Sequence, residues 1–207
     1  MNNTRNIIRQ SKTLVGPFPE FNVKDVSECP HELFLEWFKA AIDSGVHEPH
    51  AMTLSTTDHN GFPDARVLII KDVDQDGWYF ASSSQSNKGK QIEVNPNVAL
   101  TFYWSQVGRQ IRIRGTARKM DKDMSANDFL NRGVTARAIA LIGKQSSIVK
   151  DQIEFEQEFE KQIYHIEQNP NIVSPTWTLY RVTASEVEFW QADEERKHIR
   201  LKYSNEG

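Results

Sequence analysis

The stretch from residue 51 to 84 constrains the fold more than any other part of the chain. It holds three short apolar runs, "AMTLSTT", "ARVLIIK" and "WYFASSS", separated by "DHNG" and "DQDG". Asn-Gly and Asp-Gly supply the positive φ angles that a tight reversal between twisted strands requires, so the runs read as β-hairpins. "VALTFYW", the turn "SQVG" and "RQIRIRGTARK" continue the pattern. In the last run Gln110, Arg112 and Arg114 share one face and Ile111 and Ile113 the other, the period of a half-buried strand. Five strands in a near-meander, spaced by tight turns, favour a small antiparallel barrel over a sheet of βαβ units.

Helical periods flank and interrupt the strands. From His31 to Asp43 the apolar residues Leu33, Phe34, Trp37, Phe38, Ala41 and Ile42 fall on one face, and Gly45 stops the run. "NKGKQIEVNPN" reads as a short helix or turn. Beyond Asp121, "SANDFLNRG" and "VTARAIALIGKQ" read as two short helices, and "IEFEQEFEKQIYHIEQ" as a longer one with Phe155, Phe159, Ile163 and Ile166 on one stripe. Strands return in "TWTLYRVTA" and "EVEFWQ". Residues 1–30, polar and Pro-punctuated, read as an arm with little structure of its own. Residues 31–207 read as one domain, mainly β with surrounding helices.

Composition narrows the function classes. A net charge of -3 gives no global footprint for nucleic acid, so an anion site has to be a local cluster. Cys29 stands alone, which leaves no disulfide framework and no thiolate metal site. "MNNTRNIIRQSKTL" lacks the apolar core of a signal peptide, and no segment approaches the ~20 apolar residues of a membrane span. A cytoplasmic protein with no membrane, nucleic-acid or metal partner is the expectation.

Local clusters carry what chemistry there is. Arg66 and Lys71 bracket the apolar run Val67–Ile70, a pattern that strand ends in solvent also give. "SSSQSNKGK" places hydroxyls, Lys88 and Gly89 at a strand-to-helix junction, where backbone N–H groups suit a phosphate, although the Gly spacing is not that of a Walker loop. "GKQSS" offers a Gln beside hydroxyls, fit to read a ring amide or to cap a helix. In the tail, Arg196, His198 and Arg200 alternate. As a strand they would share a face; as a helix Arg196 and Arg200 would stack and His198 turn away.

These stretches together, in order, resemble the pyridoxamine 5'-phosphate oxidase family: "RVLIIK", "SNKGKQIEVNPNVAL", "RQIRIRGTA", "KQSS", and "EFWQ" followed by R-x-H-x-R. The resemblance runs from about Glu48 to the end. It implies an FMN-binding split β-barrel, antiparallel and Greek-key-like, that forms a homodimer with FMN at the interface. It also implies an oxidase that moves a hydride from a small ring substrate to FMN and then reduces O2 to H2O2. On the cofactor side the resemblance places Arg66, Val67, Leu68, Ile69, Ile70 and Lys71, then Ala81, Ser82, Asn87 and Lys88. Gln110, Gln145, Ser146, Trp190 and Arg200 complete that side, the last two closing the site from the partner subunit. On the substrate side it places Lys71, Asp128, Arg132, Ala136, Arg196 and His198, with Arg196 and His198 in the catalytic role.

The departures bear on the substrate. Asn87 stands where vitamin-B6 oxidases put a second Arg on the FMN phosphate. Asp128 and Ala136 stand where a Tyr and a Ser hold the substrate phosphate. "SPTWTLY" replaces "PxxWGG", and the chain stops at Gly207 before a final strand that such oxidases carry. "TLVGPFPEF", "EPHAMTLST", "NKGK" without a preceding Arg, and "FYW" resemble instead the phenazine-biosynthesis branch, which oxidises dihydrophenazine carboxylates. A B6 vitamer phosphate and a phenazine precursor both stay open as substrates. A non-catalytic flavin-binding or regulatory protein on the same fold is the alternative class. A reductase fed by a nicotinamide or deazaflavin finds no dinucleotide fingerprint to support it.

Overall fold

The computed structural model describes residues 2–12, 14–143, 145–146 and 151–204. The strands are β1 (Ala51–Thr57), β2 (Pro63–Asp74), β3 (Gly77–Ser83), β4 (Asn97–Trp104), β5 (Arg109–Lys119), β6 (Trp177–Gln191) and β7 (Ile199–Ser204). The helices are α1 (Asn2–Gln10), α2 (Pro30–Asp43), α3 (Asn87–Val94), α4 (Lys122–Leu130), α5 (Val134–Ile142) and α6 (Gln152–Gln168). The strands hydrogen-bond in the order β3-β2-β1-β4-β5-β6-β7, and β3 also pairs with β6, closing six strands into a barrel. Every pairing is antiparallel.

The near-meander expected from the turns gives way to a crossover, since β4 lies beside β1 rather than beside β3. The free edge of β3 is taken by β6, from Trp78 opposite Val182 to Ser83 opposite Trp177, so β4 pairs on the open edge of β1. The two expected C-terminal strands are one 15-residue strand, β6. A register shift between Arg114 and Gly115 on β5 bends this pairing. A side chain at Gly115 would meet the Thr183 carbonyl at 2.1 Å, so this position needs glycine.

Alternation fills the barrel. Leu54, Leu100, Phe102, Ile111, Ile113, Val182 and Phe189 are essentially inaccessible, while Arg112 and Arg114 face out. Helix α2 lays Leu33, Phe34, Trp37 and Ala41 on this core. The Arg109 guanidinium stacks 4.1 Å over Trp37, and its Nε donates to Gln191 Oε1 at 2.9 Å. Gly143 at φ 71 ends α5 before Gln145, where the sequence had extended the helix.

The arm has more structure than its composition suggests. Proline begins only at residue 17, and residues 2–10 form α1. Farther on, Phe21 meets Trp37 edge-on at 4.8 Å, and Tyr203 Oη donates to the Ser27 carbonyl at 2.6 Å. Among the described residues no helix is long and apolar enough to cross a membrane.

Candidate functional site

The alternation of β2 turns Arg66, Leu68 and Ile70 inward and Val67 and Ile69 outward. Arg66 is half-buried. Its Nη1 donates to Thr56 Oγ1 at 2.6 Å and to the Leu54 carbonyl at 3.2 Å, and its Nη2 to Gln91 Oε1 at 3.3 Å. Asp64 meets the same guanidinium at 2.5 Å from the more exposed side. The Gln91 side-chain amide, then the Arg66 charge, hold the Asp64 carboxyl below its ordinary value.

Lys88 sits one residue into α3, whose N-cap Ser86 accepts from Gly89 N at 3.3 Å. It is 6% exposed, and among the described residues Nζ reaches only the hydroxyls of Ser82 and Ser86, at 3.3 and 3.4 Å. Burial, then the Arg66 charge, push its pKa below the ordinary 10.5. A buried ammonium with long, neutral contacts is short of counter-charge, and the N–H groups of a helix start point the same way. A Cβ on Gly89 would stand 2.5 Å from the Ser84 carbonyl and 2.6 Å from that of Ser83, so only glycine lets α3 close on this loop. Gln145 Oε1 accepts from Ser83 N at 3.2 Å and from Ser82 Oγ at 3.4 Å, which brings Gln145 to the cradle. Ser146 beside it has φ 68; Lys144 and Ser147 lie outside the described residues. Ala81 precedes Ser82 on β3, and Asn87 is the exposed first residue of α3. Thr56, Asp64, Ser86 and Gln91 were not singled out from sequence. Gln91, three residues after Lys88 on one helix face, was the readable signal.

A second cluster adjoins the first. Lys71 Nζ lies 3.2 Å from Asp128 Oδ1, and Asp128 Oδ2 accepts from Trp177 Nε1 at 2.8 Å. The Arg132 guanidinium stacks 4.0 Å over Trp177, and its Nη2 donates to the Ala136 carbonyl at 3.2 Å. Arg132 Nε is buried and has no partner among the described residues, and burial lowers the Arg132 pKa against the opposing pull of Asp128. Ser83, Arg132, Gln145 and Trp177 line a cavity of about 110 Å³, and Lys71 and Asp128 line another of about 320 Å³. Trp177, which lines the first and bonds to Asp128 in the wall of the second, joins the two. In the sequence this Trp stands in the strand run "TWTLYRVTA" and in the departing stretch "SPTWTLY", with no role marked for it.

The third cluster lies elsewhere. Gln110 on β5 faces Trp190 on β6, which faces Arg200 on β7. The His198 ring is 4.8 Å from that of Trp190, and with Arg196 they line a depression of about 270 Å³. Neither the strand nor the helix alternative holds for the whole stretch, because β7 begins only at Ile199 and Arg196 has φ 64. The Asp193 carboxylate takes the N–H groups of Glu195 and Lys197, at 2.8 and 3.0 Å, so local turn bonds replace a ladder. Trp177 and Trp190 stand at opposite ends of β6. Thirteen residue steps at about 3.3 Å each separate them by up to about 43 Å along the strand, and no residue of the third cluster lines the cavities of the second.

A sequence model described as "Pyridoxamine 5'-phosphate oxidase" matches residues 38–191, and one described as "Pyridoxine 5'-phosphate oxidase C-terminal dimerisation region" matches residues 177–207. A pyridoxine/pyridoxamine 5'-phosphate oxidase of Paraburkholderia phymatum is 37% identical over 189 residues, covering 90% of this chain and 87% of its own. One from Burkholderia mallei is 37% identical over 183 residues, covering 88% and 85%. Among solved structures, PhzG from Burkholderia lata 383 in complex with tetrahydrophenazine-1-carboxylic acid superposes with a TM-score of 0.85 at 25% identity, covering 93% of this chain and 95% of that one. A pyridoxamine 5'-phosphate oxidase-related, FMN-binding protein from Nostoc punctiforme shares the fold, with a TM-score of 0.65 at 16% identity over 87% of this chain and 100% of its own. With the barrel closed by β3 and β6 and two family models spanning residues 38 to 207, the chain belongs to the pyridoxamine 5'-phosphate oxidase family of FMN-dependent oxidoreductases.

Proposed function

We propose that the chain is a homodimeric FMN-dependent oxidase whose ring substrate carries a carboxylate rather than a phosphate. FMN fits the residues present. Its phosphate brings about 1.5 to 2 negative charges at pH 7, which answers the buried Lys88 ammonium and its helix N-terminus. Arg66, Ser82 and Ser86 would join Lys88 on that phosphate, with Gln145 and Ser146 beside it. When bound, FMN supplies the redox chemistry, accepting a hydride from the ring and passing the electron pair to O2 to give H2O2.

The observation that carries the substrate reading is the Asp128 carboxylate on Lys71. Of Lys71 and Arg132, Lys71 already faces the Asp128 carboxylate, while among the described residues no carboxylate lies within ion-pair distance of Arg132. A carboxylate matches one guanidinium; a phosphate dianion would meet Asp128 as a like charge. The likeness to a protein solved with tetrahydrophenazine-1-carboxylic acid supports the same reading. A phosphorylated pyridine ring is the second reading, favoured by the names of the 37% identical relatives. A flavin binder without turnover would need the Lys88 cradle but not Lys71, Arg132, Arg196 and His198 as well.

Oxygen uptake by the FMN-loaded protein with pyridoxamine 5'-phosphate, pyridoxine 5'-phosphate and a dihydrophenazine carboxylate, side by side, tests this. The carboxylate is expected to lead in kcat/KM by about tenfold or more, roughly 1.4 kcal/mol. Turnover confined to the phosphorylated rings would overturn the substrate reading.

The dimer rests on the dimerisation-region match and on the exposed outer face of the barrel. There Val67 is 66%, Ile69 42% and Tyr103 55% exposed. Val67, Thr53, Thr101, Arg112, Glu188 and Lys202 form one cross-strand row over this face, apolar at one end and ion-paired at the other. A second copy placed here would bring Trp190, Arg196, His198 and Arg200 to the Lys88 and Arg132 clusters. Val67→Asp is expected to shift the protein to monomers in sedimentation velocity and to remove oxidase activity with them. A stable dimer in that variant would place the interface elsewhere.

A further inference from the structure

Asp193 lies outside the strands and outside the residues that the sequence marked, yet four hydrogen bonds converge on it. Its carboxylate accepts from Glu195 N at 2.8 Å and from Lys197 N at 3.0 Å. Its carbonyl accepts from Arg196 N at 3.0 Å, and its own N–H donates to His198 Nδ1 at 3.1 Å. The turn these bonds close holds Arg196 at φ 64, a left-handed conformation that a non-glycine residue keeps only when its surroundings fix it.

We propose that Asp193 is a positioning residue that sets the tautomer of His198. A backbone N–H can only donate, so Nδ1 facing it must carry a lone pair. In the neutral ring the proton is therefore on Nε2. The Trp190 ring, 4.8 Å away, packs against the imidazole and limits its rotation. His198 then serves the depression it shares with Trp190 and Arg196 as a hydrogen-bond donor beside a guanidinium, not as a base that takes a proton through Nε2. Two adjacent donors suit an anionic or carbonyl oxygen of the substrate. The tautomer stands on the tail's own geometry; its use on a substrate rests on the oxidase reading above.

The test is nitrogen NMR of the full-length protein with 15N-labelled histidine, at a pH where His198 is neutral, with and without FMN. In the wild type, Nδ1 of His198 is expected at the shift of a bare, pyridine-like nitrogen and Nε2 at that of a protonated one. Asp193→Ala loses the carboxylate that shapes the turn, and the two shifts are expected to move toward each other. Asp193→Asn keeps an acceptor oxygen at that position and is expected to restore the wild-type pair. A wild-type spectrum with Nδ1 protonated overturns the proposal without any variant. Unchanged shifts in Asp193→Ala remove Asp193 from the role, since a merely structural contribution would lower stability and leave the pair alone. Failure to take up FMN would sink the oxidase reading and leave the tautomer result standing.

Discussion

Lys88→Ala is expected to weaken FMN binding by about 10- to 100-fold, because a hydrogen bond to a charged group contributes roughly 1.5–3 kcal/mol. The loss should be pH-dependent in a defined direction. The ammonium of the free protein is depressed below 10.5 by burial and by Arg66, and a bound phosphate would raise it again. Affinity is therefore full below the free-state pKa and falls as pH rises through it. Fluorescence titration of FMN from neutral to alkaline pH reads both effects. The wild type should lose affinity on the alkaline side, Lys88→Arg should keep it to higher pH because a guanidinium stays charged, and Lys88→Ala should lack this limb. Equal affinities and parallel pH profiles across the three proteins would remove Lys88 from the cradle.

Asp128→Asn is expected to change which substrates are accepted rather than whether FMN is held. The amide keeps an acceptor for Trp177 Nε1 but removes the charge that pairs with Lys71. Two like unit charges about 5–6 Å apart at an effective dielectric of about 20 repel by roughly 3 kcal/mol, and solvent screening reduces this. Freed of Asp128, Lys71 and Arg132 should together accept a dianion, so kcat/KM for pyridoxine 5'-phosphate is expected to rise about 10- to 100-fold. The dihydrophenazine carboxylate should change much less, and FMN affinity should stay level. A parallel change for both substrates would mean that Asp128 only supports Trp177. A fall for the phosphorylated ring would mean that the Lys71 pair helps a phosphate bind.

How far the sequence reached differed from cluster to cluster. Lys88, Gly89 and Ser82 were legible because a strand-to-helix junction is local, and the hydroxyls, the glycine and the lysine sit within a few residues of one another. Asp128 was legible only as a departure from a family pattern. That it would lie on Lys71 and Trp177 depends on α4 being laid across the junction of β3 and β6, contacts far apart in sequence. Trp177 carries no local mark of a role in the sequence, since its side-chain hydrogen-bond partner, Asp128, lies on α4. In the tail, the alternation of Arg196, His198 and Arg200 left strand and helix both open, and the strand that forms begins at Ile199, past the first two. Asp193 captures those backbone donors first, and side-chain competition of that kind leaves no periodic trace.

The sequence by itself determined the local choices: the period of two in β1, β2, β4 and β5, the hairpin turns, the apolar stripe of α2 and the glycine that lets α3 close on its loop. Each depends on neighbours within about ten residues, where periodicity and turn chemistry act directly. The tertiary structure alone decided which strand edges meet, and so which charges meet. Closure of β3 on β6 diverted β4 to β1 and set Lys71, Asp128, Arg132 and Trp177 around adjoining cavities. It also set Trp177, beside the second cluster, and Trp190, beside His198, at opposite ends of β6. That separation is a property of barrel closure, in which a whole strand must find a free edge, and no window of sequence contains it.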